Sequence, residues 1–347
     1  MASHSSPTNN RMRAIVQRRY GSADTLELAQ VAVPRVGPDE VLIEVHAAGV
    51  DRGVWHLMTG TPYLVRLLGY GLTKPRSPVL GLDVAGCVVE VGSKVTRFAV
   101  GDEVFGIARG SYAEYAAAAE SKLARKPATI SFEQAAAASI SGITALQALT
   151  EVATVHAGQN VLIIGASGGV GSYAVQIAGA LGARVTAVAS SAKVPAVQAL
   201  GAAHTVAYDR SDYLDGSVRY DLIVDSGGSN RLRKLRKALT PTGTLVIVGG
   251  EDGERWRTGI GRQLRALVLS RFVAQRLTSL VSKEHYRWIE QLAGYLAAGT
   301  VTPLIGARCT LERSADALRR LEAGTIAGKA VIVVRDAQER GESNRLA

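Results

Sequence analysis

Residues 161–171 read VLIIGASGGVG, and this stretch decides the fold. Four apolar residues, three of them β-branched, lead into a glycine-rich turn, and beyond Val170 the apolar residues recur at helical spacing as far as Leu181. The pattern predicts a strand, a turn and a helix. A turn of bare backbone lets a pyrophosphate approach closely, and the N-terminus of the following helix favours negative charge. The dinucleotide-binding residues predicted here are Gly165, Ala166, Ser167, Gly168, Gly169, Val170 and Gly171.

The residues after this turn complete a βαβ unit. The turn reads G-x-x-G-G-x-G rather than the simple G-x-G-x-x-G, so its context decides the interpretation. A second β-branched run, Val185–Val188, ends about 20 residues later, where this fold places the group that contacts the adenosine ribose. We therefore interpret the whole unit as a dinucleotide-binding element.

Length and composition are those of a globular protein. The 347 residues, 47% of them hydrophobic and 20% charged, suit one large or two ordinary domains. The two cysteines exclude a disulfide framework and favour a reducing, cytoplasmic location, and Met1–Asn10 lacks the apolar core of a signal peptide. The uncharged stretch Val152–Ala183 is interrupted by glycines and polar residues, so no membrane span is expected.

The formal net charge is +10, and the cations are densest in Arg231–Lys237 and Arg255–Arg276. Irregular alternation with leucines in the first run is typical of a solvated helix face. A field of this sign also attracts a polyanionic cofactor, so no nucleic-acid partner is expected.

The order of predicted elements divides the chain into domains. Short strands bounded by Gly, Pro or Asp come first and predict a small antiparallel β domain. From Ser131, which with Glu133 offers a helix start, helices alternate with strands and predict a doubly wound parallel sheet. The predicted segments are a flexible extension (1–11), the first part of the β domain (12–130), the nucleotide-binding domain (131–300), the return to the β domain (301–336) and a flexible tail (337–347).

Seven motifs, in order along the chain, carry a family resemblance. They are AAGVDRGVWHLMTG (47–60), PVLGLDVAG (78–86), VGDEVFG (100–106), GSYAEYA (110–116), GITALQAL (142–149), LIIGASGGVGSYAVQIA (162–178) and GKAVIVV (328–334). With them the sequence resembles the medium-chain dehydrogenase/reductase superfamily, in particular its zinc-independent quinone oxidoreductase branch with its NAD(P)-dependent alcohol dehydrogenase-like members. The resemblance implies an α/β protein with a Rossmann coenzyme domain and a GroES-like, mostly β catalytic domain. It also implies an oxidoreductase that forms a homodimer.

Zinc-dependent members of that superfamily hold a catalytic metal with soft or imidazole ligands. Where they carry the first cysteine, this chain has Asp51, and where they carry Gly-His-Glu it has Gly81, Leu82 and Asp83. The four-cysteine lobe of their structural zinc is missing from the sequence. Because leucine cannot ligate a metal, we expect no zinc site.

The residues after the second predicted strand favour NADPH as the cofactor. An NAD-selective site places an Asp or Glu there, and that carboxylate would repel a 2′-phosphate. The chain has no acidic residue between Glu151 and Asp209, and two hydroxyls and an ammonium follow the strand. These groups belong to Ser190, Ser191 and Lys193, and the resemblance adds Tyr208 after the third strand. A solvated loop of small polar residues remains the alternative.

Further cofactor contacts are implied by the resemblance alone. They lie in the GITAL motif, after the fourth and fifth strands, and at the start of the last strand. The residues are Thr144, Ser226, Gly227, Gly249, Gly250 and Lys329. For Ser226 an ordinary turn role stays open, and for Lys329 a role as the first residue of a strand.

Without a metal, hydride passes from the nicotinamide to an electrophilic carbon while the protein supplies orientation and hydrogen bonds. The expected acceptor is a quinone or an α,β-unsaturated carbonyl compound. The catalytic candidates follow the AAGV motif: Asp51, where many relatives carry Asn, His56 as an acid near neutral pH, and Tyr63 as a pocket residue. Packing roles stay open for His56 and Tyr63, and Thr61–Lys74 is interpreted as a flap.

Two other functions stay open. One is an NADPH-binding protein with little turnover whose basic surface, centred on Arg255–Arg276, binds RNA or an anionic membrane. The other is an alcohol dehydrogenase or ketone reductase, with zinc in the dehydrogenase case. The basic segment itself is interpreted first as a helix that packs across the domain cleft or at a subunit interface.

Overall fold

The structure is a computed structural model that describes residues 10–61, 63, 66, 71–227, 230–249 and 260–335. The chain divides into two compact units. The first, called the β unit, comprises Met1–Ile140, Glu284–Ala297 and Ile305–Ala347. The second, called the parallel-sheet unit, comprises Ser141–Lys283 and Ala298–Leu304.

The described residues contain strands and helices of ordinary length. The strands are β1 (Arg11–Gln17), β2 (Leu26–Ala32), β3 (Glu40–Val50), β4 (Asp83–Val91), β5 (Glu103–Ile107), β6 (Tyr115–Ala119), β7 (Leu123–Arg125), β8 (Asn160–Ile164), β9 (Arg184–Ala189), β10 (His204–Ala207), β11 (Tyr220–Asp225), β12 (Leu239–Ile247), β13 (Arg276–Ser279), β14 (Ile305–Thr310) and β15 (Lys329–Val333). The helices are α1 (Arg52–Thr59), α2 (Phe132–Gln147), α3 (Gly169–Ala180), α4 (Val194–Gln198), α5 (Leu232–Ala238), α6 (Ile260–Ser270), α7 (Tyr286–Ala297) and α8 (Ser314–Glu322). None of the described helices combines the length and apolar character that a bilayer crossing requires.

The parallel-sheet unit is built on six strands in the order β10-β9-β8-β11-β12-β13, and every neighbouring pair is parallel. The order runs outward from β8 in both directions, so the crossovers change sides between β8 and β11. Sheets of this kind bind ligands at that point, beyond the carboxyl ends of the strands. Leu162, Ile163 and Ile164 are all buried, which explains why this strand is continuously apolar. The predicted doubly wound sheet is confirmed.

The β unit contains a seven-stranded sheet in which β3 has a central place. The order is β14-β15-β3-β4-β5-β7, and β6 also pairs with β3. The pair β14–β15 is parallel, whereas β15–β3, β3–β4, β3–β6, β4–β5 and β5–β7 are antiparallel. A separate antiparallel hairpin joins β1 to β2. The two strands from the end of the chain, β14 and β15, therefore share a sheet with β3 to β7, and the predicted mostly β domain is confirmed.

At Arg11 and at helix α7 the structure differs from the predicted segments. The segment boundaries otherwise stay predictions. Arg11 was assigned to the flexible extension, but it begins β1 and pairs with Ala32. Helix α7 was assigned to the nucleotide-binding segment, but it lies in the β unit. There Glu290 forms an ion pair with Arg97 at 2.6 Å, and the Arg97 guanidinium lies 3.7 Å from the centroid of the Tyr286 ring.

Helix α2 begins with a reciprocal cap. The Ser131 hydroxyl accepts the N–H of Gln134 at 3.1 Å, and the Gln134 side-chain oxygen accepts the N–H of Ser131 at 2.9 Å. This is a capping box with glutamine as the returning residue. The helix start predicted from Ser131 and Glu133 is confirmed, since α2 begins at Phe132 and Glu133 lies in its first turn, where it also forms an ion pair with Arg308 of β14.

We expect Ser131→Ala to lower the free energy of unfolding by about 1 kcal/mol, because an N–H at the start of α2 loses its acceptor. Chemical denaturation followed by far-UV circular dichroism measures the change. Gln134→Glu is the matched control, since glutamate supplies the same acceptor and should leave stability close to that of the wild type. Equal losses in the two variants would contradict the assigned cap.

Candidate active-site residues

The glycine-rich turn joins β8 to α3 through close backbone contacts. Gly165 has a φ of +79°, a left-handed conformation that favours glycine. A Cβ on Gly171 would lie 2.1 Å from the Gly165 carbonyl oxygen, so α3 can approach the turn only without that side chain. Gly168 precedes α3 in an extended conformation, and the first N–H groups of a helix have no acceptor within it. The turn therefore fits a pyrophosphate group.

The carboxyl end of β11 borders this turn. Ser226 donates its N–H and its hydroxyl to the Ile164 carbonyl, at 3.1 and 2.8 Å. Gly227 donates its N–H to Asp225 Oδ1 at 3.1 Å, and the other oxygen of this fully buried carboxylate accepts from Arg262 of α6. The predicted residues Ser226 and Gly227 thus lie beside the turn, but the Ser226 hydroxyl already has a backbone acceptor.

The other predicted nicotinamide contacts lie in α2 and after β12. Thr144 is buried within α2. Gly249 follows β12, and a Cβ added to it would lie 3.7 Å from the Ser226 carbonyl oxygen. Gly250 lies outside the described residues, as does the first part of the basic segment, residues 255–259.

At the end of β9, a carboxylate occupies the polar loop that the sequence predicts as a phosphate site. Asp209, which follows β10, accepts the N–H of Ser191 at 2.8 Å and its hydroxyl at 2.6 Å. These two hydrogen bonds lower the pKa of Asp209. No acidic residue follows β9 directly in the sequence, but the pairing of β9 with β10 brings the carboxylate of Asp209 to this loop. Tyr208, 58% exposed, donates its N–H to Ala189, so it stays beside the loop as predicted.

In the β unit, one lysine and two aspartates are buried together. Lys329 Nζ lies 2.9 Å from Asp83 Oδ2 and 3.7 Å from Asp51 Oδ2, and none of the three side chains is more than 7% exposed. Asp83 Oδ1 also accepts the N–H of Ile140 at 2.9 Å, and Asp51 Oδ1 accepts the N–H of Val54 at 3.0 Å. One cation therefore faces two carboxylates away from water.

Adjacent strand ends bring this cluster together. Strand β3 lies between β15 and β4, and the three residues Lys329, Asp51 and Asp83 stand at the ends of these strands. Gly49 of β3 pairs with Asp83. A Cβ on Gly49 would lie 2.7 Å from Asp83 Oδ2 and 2.4 Å from the Ala136 carbonyl oxygen. Only glycine leaves room here for the buried carboxylate.

Burial controls the protonation of the cluster. Burial raises the pKa of Asp83 to about 6, because the opposing attraction of Lys329 is smaller and Asp51 adds repulsion. Burial by itself lowers the pKa of Lys329, but the carboxylates of Asp83 and Asp51 raise it above its ordinary value. The hydroxyl of Tyr112, which donates to the Gly49 carbonyl at 3.2 Å, also has a raised pKa, from burial and from these carboxylates. The amine thus stays charged and the phenol neutral at physiological pH.

His56, on α1, has a fixed tautomer. Its Nδ1 lies 2.7 Å from the Thr61 carbonyl oxygen, and since a carbonyl only accepts, Nδ1 carries the proton. The Nε2 atom is then an acceptor in the neutral ring and a donor in the cationic ring. The ring packs edge-on against Trp55, with 5.1 Å between the ring centroids. A fixed ring with one defined nitrogen is what general acid–base chemistry requires.

Tyr63 helps to hold an arginine between two aromatic rings. The Arg66 guanidinium lies 4.6 Å from the centroid of the Tyr63 ring and 4.3 Å from that of Tyr20. The Tyr20 hydroxyl donates to the Gly71 carbonyl at 2.7 Å. Tyr63 thus has a packing role in this segment. The other predicted flap positions between Tyr63 and Gly71 lie outside the described residues.

The structure joins two residues for which the sequence predicts separate roles. Asp51 was a catalytic candidate and Lys329 a cofactor contact. The Lys329 amine is instead buried against Asp51 and Asp83, which argues against the predicted cofactor contact because a 1% exposed side chain has no open face. Asp51 Oδ2 is buried as well, so the carboxylate positions α1 rather than exchanging protons with solvent.

Four residues of these sites have roles that the sequence does not predict: Asp83, Asp209, Asp225 and Arg262. Asp83 and Asp225 each stand alone among apolar strand residues, a pattern that signals a buried and paired carboxylate. Asp209 gave no such signal, since its partner Ser191 is 18 residues away in the sequence. The partners Arg262 and Asp225 are 37 residues apart.

Family models match two stretches of the chain. The alcohol dehydrogenase GroES-like domain matches residues 37–128, and the zinc-binding dehydrogenase domain matches residues 200–332. The quinone oxidoreductase of Homo sapiens is 32% identical over 334 residues, which cover 93% of this chain and 98% of that protein. The chain belongs to the medium-chain dehydrogenase/reductase superfamily, in its quinone oxidoreductase-like branch. The resemblance seen in the seven motifs is confirmed.

Further relatives of this superfamily match nearly the whole chain. The 2-methylene-furan-3-one reductase of Solanum lycopersicum is 31% identical over 337 residues, covering 92% of this chain and 79% of that protein. The solved structure of the quinone oxidoreductase from Coxiella burnetii has a TM-score of 0.83 at 29% identity, covering 94% of this chain and 100% of that one. The chain is therefore an oxidoreductase, and its superfamily points to a nicotinamide cofactor. These relatives favour neither of the two alternative functions.

One matched family is described as a zinc-binding dehydrogenase, but the residues of this chain lack the chemistry of a zinc site. Within the described ranges, no group of three or more His, Cys, Asp or Glu side chains is arranged to hold a metal ion. At the positions expected for zinc ligands, Asp51 and Asp83 already face the Lys329 ammonium, and Leu82 offers no ligand atom. These residues do not fit a catalytic zinc.

We expect the contribution of Asp83 to stability to fall as the pH rises from about 4 to about 7. The pKa of this carboxyl is raised from 3.8 to about 6 in the folded chain, so the fold binds the proton more tightly than the unfolded chain does. The stabilising contribution is fully present below the pKa of the unfolded chain. It is lost as the pH rises through the pKa of the folded chain, and the total loss is roughly 3 kcal/mol.

Urea unfolding at several pH values across this range gives the free energy of unfolding of the wild type and of Asp83→Asn. The difference between these two free energies measures the effect. Asp39→Asn removes an exposed carboxylate and serves as the matched control. A difference between wild type and Asp83→Asn that does not change with pH would rule out the raised pKa.

Proposed function

We propose that this chain is a zinc-independent, NADPH-dependent oxidoreductase that transfers hydride to a quinone or an α,β-unsaturated carbonyl compound. The turn between β8 and α3 carries the proposal, because its bare backbone fits the pyrophosphate of a dinucleotide. The acceptor class is supported by the relatives, which include quinone oxidoreductases and a 2-methylene-furan-3-one reductase. A 2-methylene-furan-3-one is itself an α,β-unsaturated ketone.

The parallel-sheet unit is proposed to bind the cofactor. The bound nicotinamide would supply the hydride. The N–H groups at the start of α3 would donate to the pyrophosphate, since Gly165 and Gly171 keep side chains away from it. Gly227 and Gly249 follow β11 and β12 and offer backbone rather than side chains to the dinucleotide.

The preference for NADPH is proposed to depend on the balance between two opposite charges, those of Lys193 and Asp209. Lys193 brings an ammonium to the loop after β9, and a 2′-phosphate would accept hydrogen bonds from it and from Ser190 and Ser191. Asp209 opposes this, since its carboxylate repels a phosphate and holds both donors of Ser191. The ammonium and the net charge of +10 favour the phosphate, so NADPH is expected to bind more tightly than NADH.

The β unit is proposed to supply the proton that completes the reduction. Hydride addition to a quinone or enone leaves an anionic oxygen, or its conjugated carbanion, that must be protonated. His56 is the proposed donor, through Nε2 of its cationic ring. Asp51 caps the helix that carries His56, and Lys329 holds Asp51, so these two are positioning residues.

We also infer a homodimer located in the cytoplasm. Strand β13 lies at one edge of the parallel sheet, and an edge strand can pair with a second copy. Both cysteines are free thiols, as is usual in a reducing compartment.

We expect Lys193→Ala to weaken NADPH binding about tenfold and to leave NADH binding unchanged, because only NADPH carries the 2′-phosphate. Asp209→Asn should strengthen NADPH binding and raise the ratio of NADPH to NADH affinity, since a repelling charge is removed. Titration of both cofactors by calorimetry measures these affinities. Lys234→Ala, which removes another surface cation of the same unit, is the control. Wild-type binding of NADH as tight as that of NADPH would contradict the proposed cofactor.

The reaction is tested by oxidation of NADPH with a panel of quinones, 2-alkenals, cyclic enones, enoyl thioesters and simple ketones. We expect turnover with quinones or enones, and a kcat about a hundredfold lower in His56→Gln with an unchanged Kd for NADPH. No oxidation by any acceptor would overturn the proposed function. Full kcat in His56→Gln would overturn only its role as proton donor.

A further inference from the structure

A cavity of about 240 Å³ lies within the β unit. Apolar residues form much of its lining, among them Leu57, Val79, Leu80 and Leu82. Sites for small molecules are concave, mostly apolar, and hold a few polar groups that orient the ligand. At about 30 Å³ per water molecule, the volume equals roughly eight waters. The cavity therefore has room for one substituted six-membered ring.

Hydrogen bonds hold the wall of this cavity in place. The Leu80 N–H donates to the Ile15 carbonyl at 3.2 Å, and the Leu80 carbonyl accepts the N–H of Tyr112 at 2.9 Å. The N–H of Gln17 donates to the Pro78 carbonyl at 2.7 Å. The segment that precedes β4 is thus fastened to β1 and to the chain that follows β5. The cavity is therefore a fixed feature of the β unit.

Two arginines give the cavity a positive charge. Arg76 and Arg109 both line it, and both are exposed. The backbone around Arg109 is fixed, because the N–H groups of the residues before and after it donate to the Leu82 and Gly81 carbonyls, at 2.8 and 3.0 Å. None of the described residues that line the cavity is Asp or Glu. Since a guanidinium donates a fork of N–H groups that matches a carboxylate or a phosphate, the cavity favours a ligand with an anionic oxygen group.

The wall of the cavity also contains a buried acceptor. Gln17 lines the cavity, is 1% exposed, and donates its side-chain N–H to the Met58 carbonyl. Its Oε1 has no hydrogen-bond partner within the part of the chain that the structure describes. An acceptor that is buried without a donor is costly. A hydroxyl is therefore the group that a ligand would supply here.

We propose that this cavity selects the hydride acceptor, as a single-ring quinone that carries a carboxylate or a phosphate. This acceptor class rests on the proposed function, to which Leu57 connects the cavity, since it follows the proposed proton donor His56 on α1. Hydride from NADPH and one proton convert such a quinone to the hydroquinone, NADP⁺ is released, and the anionic group is unchanged. The hydroquinone hydroxyls supply the donor that Gln17 lacks, and the two arginines bind the anionic group.

The first test is calorimetric titration of the full chain with reduced compounds of this class, which bind without turnover. The anionic probes are 2,5-dihydroxybenzoate and 4-hydroxyphenyl phosphate, and hydroquinone is their uncharged counterpart. We expect the Kd of the better anion to be at least tenfold lower than that of hydroquinone, and the comparison of the two anions identifies the preferred group. Benzoate, which has no hydroxyl, should bind several-fold more weakly than 2,5-dihydroxybenzoate.

The variants separate the two arginines from general surface charge. Arg76→Gln with Arg109→Gln should raise the Kd of the better anion at least tenfold, because both guanidiniums are lost. Arg35→Gln with Lys94→Gln is the matched control, since it removes two exposed cations of the same unit that do not line the cavity. This control should bind the anion like the wild type.

The second test compares the KM values of 2-carboxy-1,4-benzoquinone and 2-methyl-1,4-benzoquinone in the oxidation of NADPH. In the wild type we expect the KM of the carboxylated quinone to be at least tenfold lower. In the Arg76/Arg109 double variant, the ratio of the carboxylated to the methylated KM should rise at least tenfold, whereas the Arg35/Lys94 control should keep the wild-type ratio.

Binding of the reduced probes needs no turnover, so two failures can be told apart. Equal binding of both anions by the wild type and the Arg76/Arg109 variant would overturn the proposed acceptor class, even if neutral quinones oxidise NADPH. Equal KM values for the two quinones in the wild type would overturn it as well. If no quinone or enone oxidises NADPH, the proposed function and this acceptor class both fail, whatever the probes bind.

Discussion

The backbone of α3 lies directly against the backbone of the turn that precedes it, and no side chain separates them. A Cβ on Gly171 would stand 2.1 Å from the Gly165 carbonyl oxygen, so this packing exists only because residue 171 is glycine. The contact fixes where the first N–H groups of the helix point, and therefore where a negative charge is favoured. The neighbouring strand end is fixed against the same turn, since Ser226 donates twice to the Ile164 carbonyl. The geometry of the proposed cofactor site thus depends on the absence of side chains at a few positions.

In the β unit, buried charged side chains rather than missing side chains hold the strand ends in place. Burying an ion is costly unless it is paired, and here one ammonium meets two carboxylates that also accept backbone N–H groups. The cluster ties the ends of β15, β3 and β4 to the start of α1, the helix that carries His56. The helix that carries the proposed proton donor is therefore positioned by directed electrostatic contacts, whereas a hydrophobic contact would impose no such direction.

The sequence predicts the local parts of this molecule well, and the reason is physical. The strand, turn and helix around Gly165 follow from periodicity and from the conformational freedom of glycine, which act over a few residues. The mismatch with a zinc site is visible because leucine has no ligand atom in any conformation. The ion pairs and hydrogen bonds between distant residues are not predictable in this way. Whether Asp209 meets Ser191, or Lys329 meets Asp83, depends on strand register, which no local pattern encodes.

The hydrogen bonds between Asp209 and Ser191 also bear on how such a protein can change over evolutionary time. The elements proposed to bind the dinucleotide are β8 and α3, whereas Asp209 belongs to an exposed loop that follows β10. In the proposed site, cofactor binding and the choice between phosphorylated and unphosphorylated cofactors therefore lie on separate elements. Because a substitution in an exposed loop usually costs little stability, a protein built in this way can change its cofactor preference while the turn between β8 and α3 stays intact.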